Sequence, residues 1–291
     1  AWVLLQRIPP GHPVWGWPRR EAVAAVARWR PGLLKAIGPA VMADGASLPT
    51  ARLVGPIGLR RNSRTSRLRE ERPFQREMVD VGMAEATVNV RADGLAGSFE
   101  WHKAVHPDSG PDRVGRVVFE RAVCLNSVAH YAEMGVPIPD QPATGESLLT
   151  SSEFSIDTLC IGDIIEVETT TKPVVLTVTH PRRPCHRWAF KYSRAVFHRV
   201  MQRGLGGIFC SVRTPGTLDI GGATLRVVAR PHPEWTLRRV NALIYGGSGW
   251  DKRPRWRGCL AELEQLIALP DFGEHQWKDH LMEVRDVRAN E

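Results

Sequence analysis

The chain has 291 residues, is 43% hydrophobic and 24% charged, and carries a net charge of +8. This is the make-up of a globular protein with ample material for a core, and it excludes collagen-like, low-complexity and disulfide-scaffold classes. No run of 18 or more apolar residues occurs, which excludes a membrane-spanning helix, and no membrane partner is expected.

The positive charge sits at one end. Residues 1–69 hold 12 Lys/Arg against 2 Asp/Glu, which leaves 27 against 29 for residues 70–291. A nucleic-acid-binding domain carries its basic footprint on the folded part, so nucleic acid is not expected as a partner. Residues 1–69, broken by Ile8-Pro9-Pro10-Gly11, Arg30-Pro31-Gly32 and Gly38-Pro39, read as a basic N-terminal extension. Residues 21–29 fit a short amphipathic helix within it. An Arg-rich, acid-poor segment is also what a mitochondrial or plastid transit segment looks like.

From about residue 84 the pattern turns to strands. Residues 86–90 alternate, 117–119 and 121–125 are short apolar runs, and 158–167 and 174–179 are rich in β-branched residues bounded by Gly, Asp and Pro. Residues 193–203 read as a helix with Ser193 as N-cap and Gly204 as its stop. Residues 208–212 and 223–228 are strands again. Many short strands with few helices predict a compact β-barrel over 70–232. Beyond Pro233, residues 236–245, 259–269 and 274–287 have helical patterning, with Leu260, Leu263, Leu266 and Ile267 on one face. The expected fold is therefore mainly β (α+β), a barrel followed by a small helical subdomain over 233–291.

Five cysteines, Cys124, Cys160, Cys185, Cys210 and Cys259, show no C-x-x-C spacing, so reduced thiols in an intracellular compartment fit better than a disulfide framework or structural zinc site. Cys124, Cys160 and Cys210 fall in strand-like apolar runs and read as core residues, and Cys259 falls in a tail helix. Cys185 differs. It ends the loop Pro181-Arg182-Arg183-Pro184-Cys185 directly after a strand, with His186 and Arg187 following. Two prolines stiffen this loop. Nearby cations favour the thiolate, which is a nucleophile and a soft ligand for a transition metal. His102 and His106 are four apart, but Lys103 stands where a zincin would have Glu, so zinc is not expected there. Gly204-Leu205-Gly206-Gly207 follows a helix and lacks a GK[ST] ending, and it reads as a helix-terminating turn.

Gly145-Glu146-Ser147-Leu148-Leu149-Thr150, Cys160-Ile161-Gly162-Asp163 and Thr179-His180-Pro181-Arg182-Arg183-Pro184-Cys185, in this order and spacing, resemble the core signature of MOSC domains. Arg121-Ala122-Val123-Cys124-Leu125 with Val128-Ala129-His130-Tyr131, and Arg230-Pro231-His232-Pro233-Glu234-Trp235-Thr236, resemble the branch of small bacterial proteins linked to resistance against N-hydroxylated base analogues, which ends in a three-helix tail. The resemblance covers about 86–288. It departs at Gly145-Glu146-Ser147, where the family usually has Gly-Glu-Asn, and around 94–113, where the family's Gly-Asp and His-Gly-Gly pieces are only approximated.

The resemblance implies a MOSC-type β-barrel that holds the molybdenum cofactor (Mo-molybdopterin), with Cys185 as metal ligand and catalytic residue. Arg182, Arg183 and Arg187 are implied as a cradle for the cofactor phosphate. Glu146 is implied as a contact for pterin amino groups, and His130 or His186 as cofactor-side residues able to pass protons. It further implies a molybdenum-dependent oxidoreductase acting on small N-hydroxylated substrates. The chain shows no flavin fingerprint or iron–sulfur cysteine cluster, so a separate electron-donor reductase of flavoprotein or ferredoxin type is expected. The alternative is a non-catalytic sulfur carrier or cofactor holder in molybdenum cofactor metabolism. A cytoplasmic setting is expected, or mitochondrion or plastid if residues 1–69 are a transit segment, and a homodimer is compatible with the sequence.

Overall fold

The computed structural model describes residues 47–54, 87–96, 119–138, 144–184, 188–189, 192–219, 222–245, 258–273 and 278–289. The chain divides into two compact units, Ala1–Ala46 and Ser47–Glu291, and all described residues belong to the second. The helix read at 21–29, the spacing His102/His106 and the apolar pair Val117-Val118 lie outside the described residues.

The described strands are β1 (Thr50–Arg52), β2 (Thr87–Arg91), β3 (Gly94–Leu95), β4 (Val123–Ser127), β5 (Leu148–Thr150), β6 (Ile164–Val167), β7 (Val174–Pro181), β8 (Ile208–Thr214), β9 (Gly216–Asp219) and β10 (Thr224–Ala229). Seven of them form one sheet in the order β1-β10-β6-β7-β8-β4-β5, and a second sheet runs β3-β2-β9. The two edges of the larger sheet meet. Leu53 bridges Thr150, Val54 N–H donates to Leu149 O at 2.9 Å, and Ser151 N–H donates to Arg52 O at 2.8 Å. These bonds satisfy both open edges and curl the sheet into the expected barrel.

Closure depends on a strand inside the segment read as an extension. Thr50–Arg52 pairs antiparallel with β10 and buries Ala51, and Leu53 follows it into the core. A three-residue strand in an Arg-rich context carries no local signal; only its partners define it.

The pair β4–β5 is parallel, and α1 (Val128–Met134) lies in its crossover. Parallel neighbours need such a connection. Ser127 caps α1 through its side chain, and Gly135 ends it at φ 69°. The helix expected over 193–203 is α2 (Arg194–Arg203), with the Ser193 hydroxyl accepting from Val196 N and Gly204 at φ 72°. The Gly204 turn is thus a helix stop.

The long strand read over 158–167 is shorter than expected. Only Ile164–Val167 is extended, and the preceding residues form a turn. Its apolar residues Leu159, Cys160 and Ile161 are buried by a clamp rather than a ladder. The buried Asp163 carboxylate accepts from Cys160 N–H at 2.9 Å and from Arg230 Nε and Nη2 at 2.9 and 2.7 Å. Arg230 also donates to Thr158 O at 2.6 Å. Gly162 sits at φ +81°, where a Cβ would come within 2.9 Å of both His232 and Pro231. Asp163→Asn is expected to lower stability by about 2 kcal/mol in urea unfolding, because a neutral amide cannot accept both guanidinium donors; wild-type stability would remove the clamp from this account.

The tail forms α3 (Leu237–Tyr245), α4 (Leu260–Ala268) and α5 (Asp279–Ala289). Leu237, Val240, Ile244, Leu263, Leu266, Phe272 and Leu281 are buried in the same core as the barrel strands. Arg239 lies 4.6 Å over the Trp235 ring and donates to Glu262 at 2.7 Å, tying α3 to α4. No helix among the described residues is long and apolar enough to cross a membrane.

Candidate functional site

The end of β7 is bent by a register shift between Val178 and His180, which places His180 opposite Phe209 and Pro181 opposite Ile208 on β8. Such bulges re-aim a strand end. Here the bend launches the Arg182–Pro184 segment that leads to Cys185. Cys185, His186 and Arg187 lie outside the described residues. Arg183 is half-buried and Pro184 is buried.

Arg182 is held on several sides. Its N–H donates to Gly207 O at 2.8 Å. Its guanidinium lies 5.9 Å over the Phe209 ring, and Nη1 is 3.6 Å from Cys124 Sγ. A Cβ at Gly145 would fall 2.9 Å from Arg182 Nη2, and one at Gly206 would fall 2.3 Å from Arg182 O. Glycines at these points let two loops close onto the arginine.

A second guanidinium shares the same ring. Arg121, 8% exposed, lies 5.6 Å over Phe209. Burial pushes its pKa down to about 10, Glu120 opposes that shift, and the charge of Arg182 adds to it. Arg121 stays cationic at neutral pH, and two guanidinium forks converge at one buried ring. Paired guanidinium groups in such a place favour an oxyanion such as phosphate or carboxylate.

Beside them runs a buried hydrogen-bond chain. The Glu146 carboxylate, 1% exposed, accepts from Tyr131 OH at 2.6 Å, from Thr144 N–H at 2.9 Å and from Thr144 Oγ1 at 2.6 Å. Asn126 Nδ2 donates to Thr144 Oγ1 at 2.9 Å, and Asn126 Oδ1 accepts from Ser127 N–H. His130 Nδ1 lies 2.7 Å from that same Oδ1, and Nε2 accepts from Ile156 N–H at 3.0 Å. Since Oδ1 can only accept, Nδ1 carries the proton and the imidazole is neutral. Burial lowers its pKa to about 4. Burial, with the charge and hydrogen bond of Glu146, raises the Tyr131 phenol well above its ordinary value.

The structure thus brings together Arg182 and the Gly145–Glu146 turn from the sequence reading. It places His130 behind them as a neutral brace with both nitrogens engaged. Arg121, Tyr131, Asn126, Thr144 and Phe209 were not singled out for the site. Arg121 left one signal: a charged residue within an apolar run is buried only with a reason. Among the described residues, no group of three or more His, Cys, Asp or Glu side chains is placed to hold a metal ion.

Residues 102–224 match the family model of the MOSC domain. β1 and most of β10 lie outside the match, so the closed barrel is larger than the matched span. A protein of Gibberella moniliformis (strain M3125 / FGSC 7600) described as "Reductase" is 32% identical over 133 residues, which is 43% of this chain and 23% of that protein. The chain therefore spans about a quarter of that relative's length. Two solved structures are similar in fold. One, titled a hypothetical protein, has a TM-score of 0.53 at 19% identity and covers 84% of this chain and 91% of its own. The other, YiiM from Escherichia coli, has a TM-score of 0.51 at 19% identity and covers 69% and 86%.

Proposed function

We propose that this chain is a MOSC-domain protein and a molybdenum-cofactor-dependent reductase of small N-hydroxylated compounds, with Cys185 as the metal's protein ligand. The observation that carries the reading is the convergence of Arg121 and Arg182 on the Phe209 ring, at the root of the loop that ends in Cys185. The residues fit the group. Two guanidinium forks suit a phosphate. Trp188, fully buried three positions after Cys185, has an indole N–H with no acceptor among the described residues, as a site for an acceptor-rich ring system would.

In the net reaction the N–O bond breaks, two electrons and two protons are taken up, and amine and water leave. The cofactor, when bound, supplies the two-electron chemistry. Arg121 and Arg182 would hold its anionic end, with Arg183 and Arg187 as further candidates for that cradle. Glu146, oriented by Tyr131 and Thr144, faces the pterin amino groups. His130 braces the Asn126–Thr144 side of this wall, and His186 is the remaining candidate for proton delivery. Electrons come from a separate flavoprotein or ferredoxin-type reductase. The reductase description of the fungal relative supports this direction of chemistry.

The test is cofactor retention and turnover of benzamidoxime with an artificial donor. Arg121→Met and Arg182→Met are each expected to weaken cofactor retention about 10- to 100-fold, the value of a charged hydrogen-bonded contact. Full retention in both variants would sink the assignment of the anion to this pair.

A further inference from the structure

The C-terminal helices reach the site through one loop. It runs from the end of α4 through Leu269 to Gly273 and is firmly anchored. Phe272 is 1% exposed, its N–H donates to Leu269 O at 3.3 Å, and Lys278 Nζ donates to the same oxygen at 3.3 Å. At its tip, Gly273 lies flat against the His180 ring. A Cβ there would be 2.3 Å from Nδ1 and 2.6 Å from Cε1, closer than any side chain packs. His180 also packs against the Phe209 ring, at 5.2 Å between centroids and tilted by 49°. Phe209 in turn carries both guanidinium groups.

We infer that the 269–273 loop is a positioning element for the anion site: Gly273 seats His180, His180 seats Phe209, and Phe209 sets the spacing of Arg121 and Arg182. Close-packed neighbours of this kind transmit a displacement instead of absorbing it. Gly273 lies outside the left-handed backbone region, so an alanine there is opposed by the ring and not by the backbone. Phe272, buried and bonded to Leu269 O, holds the backbone before Gly273, so the added methyl bears on the ring. This inference rests on the reading of Arg121 and Arg182 as an anion clamp, and it makes the tail part of the site.

The test uses the full chain and two readouts. One is the guanidinium N–H resonances of Arg121 and Arg182, assigned with Arg→Lys variants, which sense the Phe209 ring current without any ligand. The other is the affinity for inorganic phosphate by calorimetry. Gly273→Ala is expected to shift both resonances and weaken phosphate about tenfold. His180→Ala, which only makes room, is expected to act in the same direction and serves alone should Gly273→Ala not fold. In the His180→Ala background, Gly273→Ala is expected to add nothing, because the ring it would push is gone. Leu266→Ala opens a cavity in α4, keeps the backbone oxygen that accepts from Leu269 N–H, adds no atom at His180, and should leave both readouts as in wild type. Unchanged resonances in Gly273→Ala, an equal effect in both backgrounds, or the same shifts from Leu266→Ala would overturn the inference. Wild-type protein that fails to bind phosphate would overturn the anion reading instead, and the resonances would still decide the positioning.

Discussion

Cys185→Ala is expected to yield protein that keeps its circular dichroism spectrum but holds no molybdenum and turns over no N-hydroxylated substrate above background. The thiolate is the soft ligand in the proposal, and neither arginine fork can replace it, because guanidinium groups have no lone pair to give a metal. Cys185→Ser separates charge from softness: a hydroxyl of similar size offers a harder, neutral oxygen, and metal content should fall almost as far. Cys124→Ala is the control. Cys124 also lies at the site, 3.6 Å from Arg182 Nη1, yet it sits on β4 and is 4% exposed. Its loss is expected to leave the metal in place. Metal analysis and benzamidoxime turnover read all three variants. Undiminished turnover in Cys185→Ala, or metal loss confined to Cys124→Ala, would assign the chemistry to another group. A thiol at Cys185 carrying an adduct of about 32 Da, without molybdenum, would favour the sulfur-carrier alternative.

The parts of this fold that were legible in the sequence are those made by near neighbours. Thr87–Arg91 alternates in sequence and alternates in burial, and α2 begins and ends where Ser193 and Gly204 say it should. Local capping decides such ends. The parts that were not legible are made by distant partners. Thr50–Arg52 is a strand only because β10 flanks it and the end of β5 lies beyond it. The 158–163 stretch looked extended because it is apolar, but its burial comes from Asp163 and Arg230, 67 residues apart. The same holds for the site. The Cys185 loop announced itself by prolines and arginines within a few positions. Phe209 looked like an ordinary core strand residue, and Arg121 like an exception in an apolar run. Their role follows from a bulge in β7 and the register of β8 against it, and no local pattern encodes that register.

Lowering the pH is expected to weaken the fold through His130. Burial holds this imidazole at about 4 against an ordinary 6.5, with Glu133 and Asp157 pulling it up and Arg238 pushing it down. A folded-state value below the unfolded one means that stability is complete above pH 6.5. It drains away as pH falls towards 4, because the unfolded chain takes up the proton and the folded chain refuses it. The loss is about 2 kcal/mol by pH 5 and about 3 kcal/mol by pH 4. The geometry explains the refusal. A protonated ring would turn Nε2 into a donor facing the Ile156 N–H at 3.0 Å. Urea unfolding at pH 7.5, 6, 5 and 4.5 measures the effect, with His130→Gln as a variant that cannot titrate. The stability gap between wild type and variant should shrink across this range, most clearly between pH 6.5 and 5, where Asp157, held below the usual carboxylate range by its hydrogen bond from Arg238, stays charged. Parallel curves would remove His130 as the cause. The consequence reaches the site through a single path. If the charged ring is driven out of its seat by the Ile156 N–H, it takes its Nδ1–H away from Asn126 Oδ1, and Thr144 loses the Asn126 side chain that steadies it against Glu146. The wall proposed to face the pterin should therefore loosen at a higher pH than the arginine pair across from it.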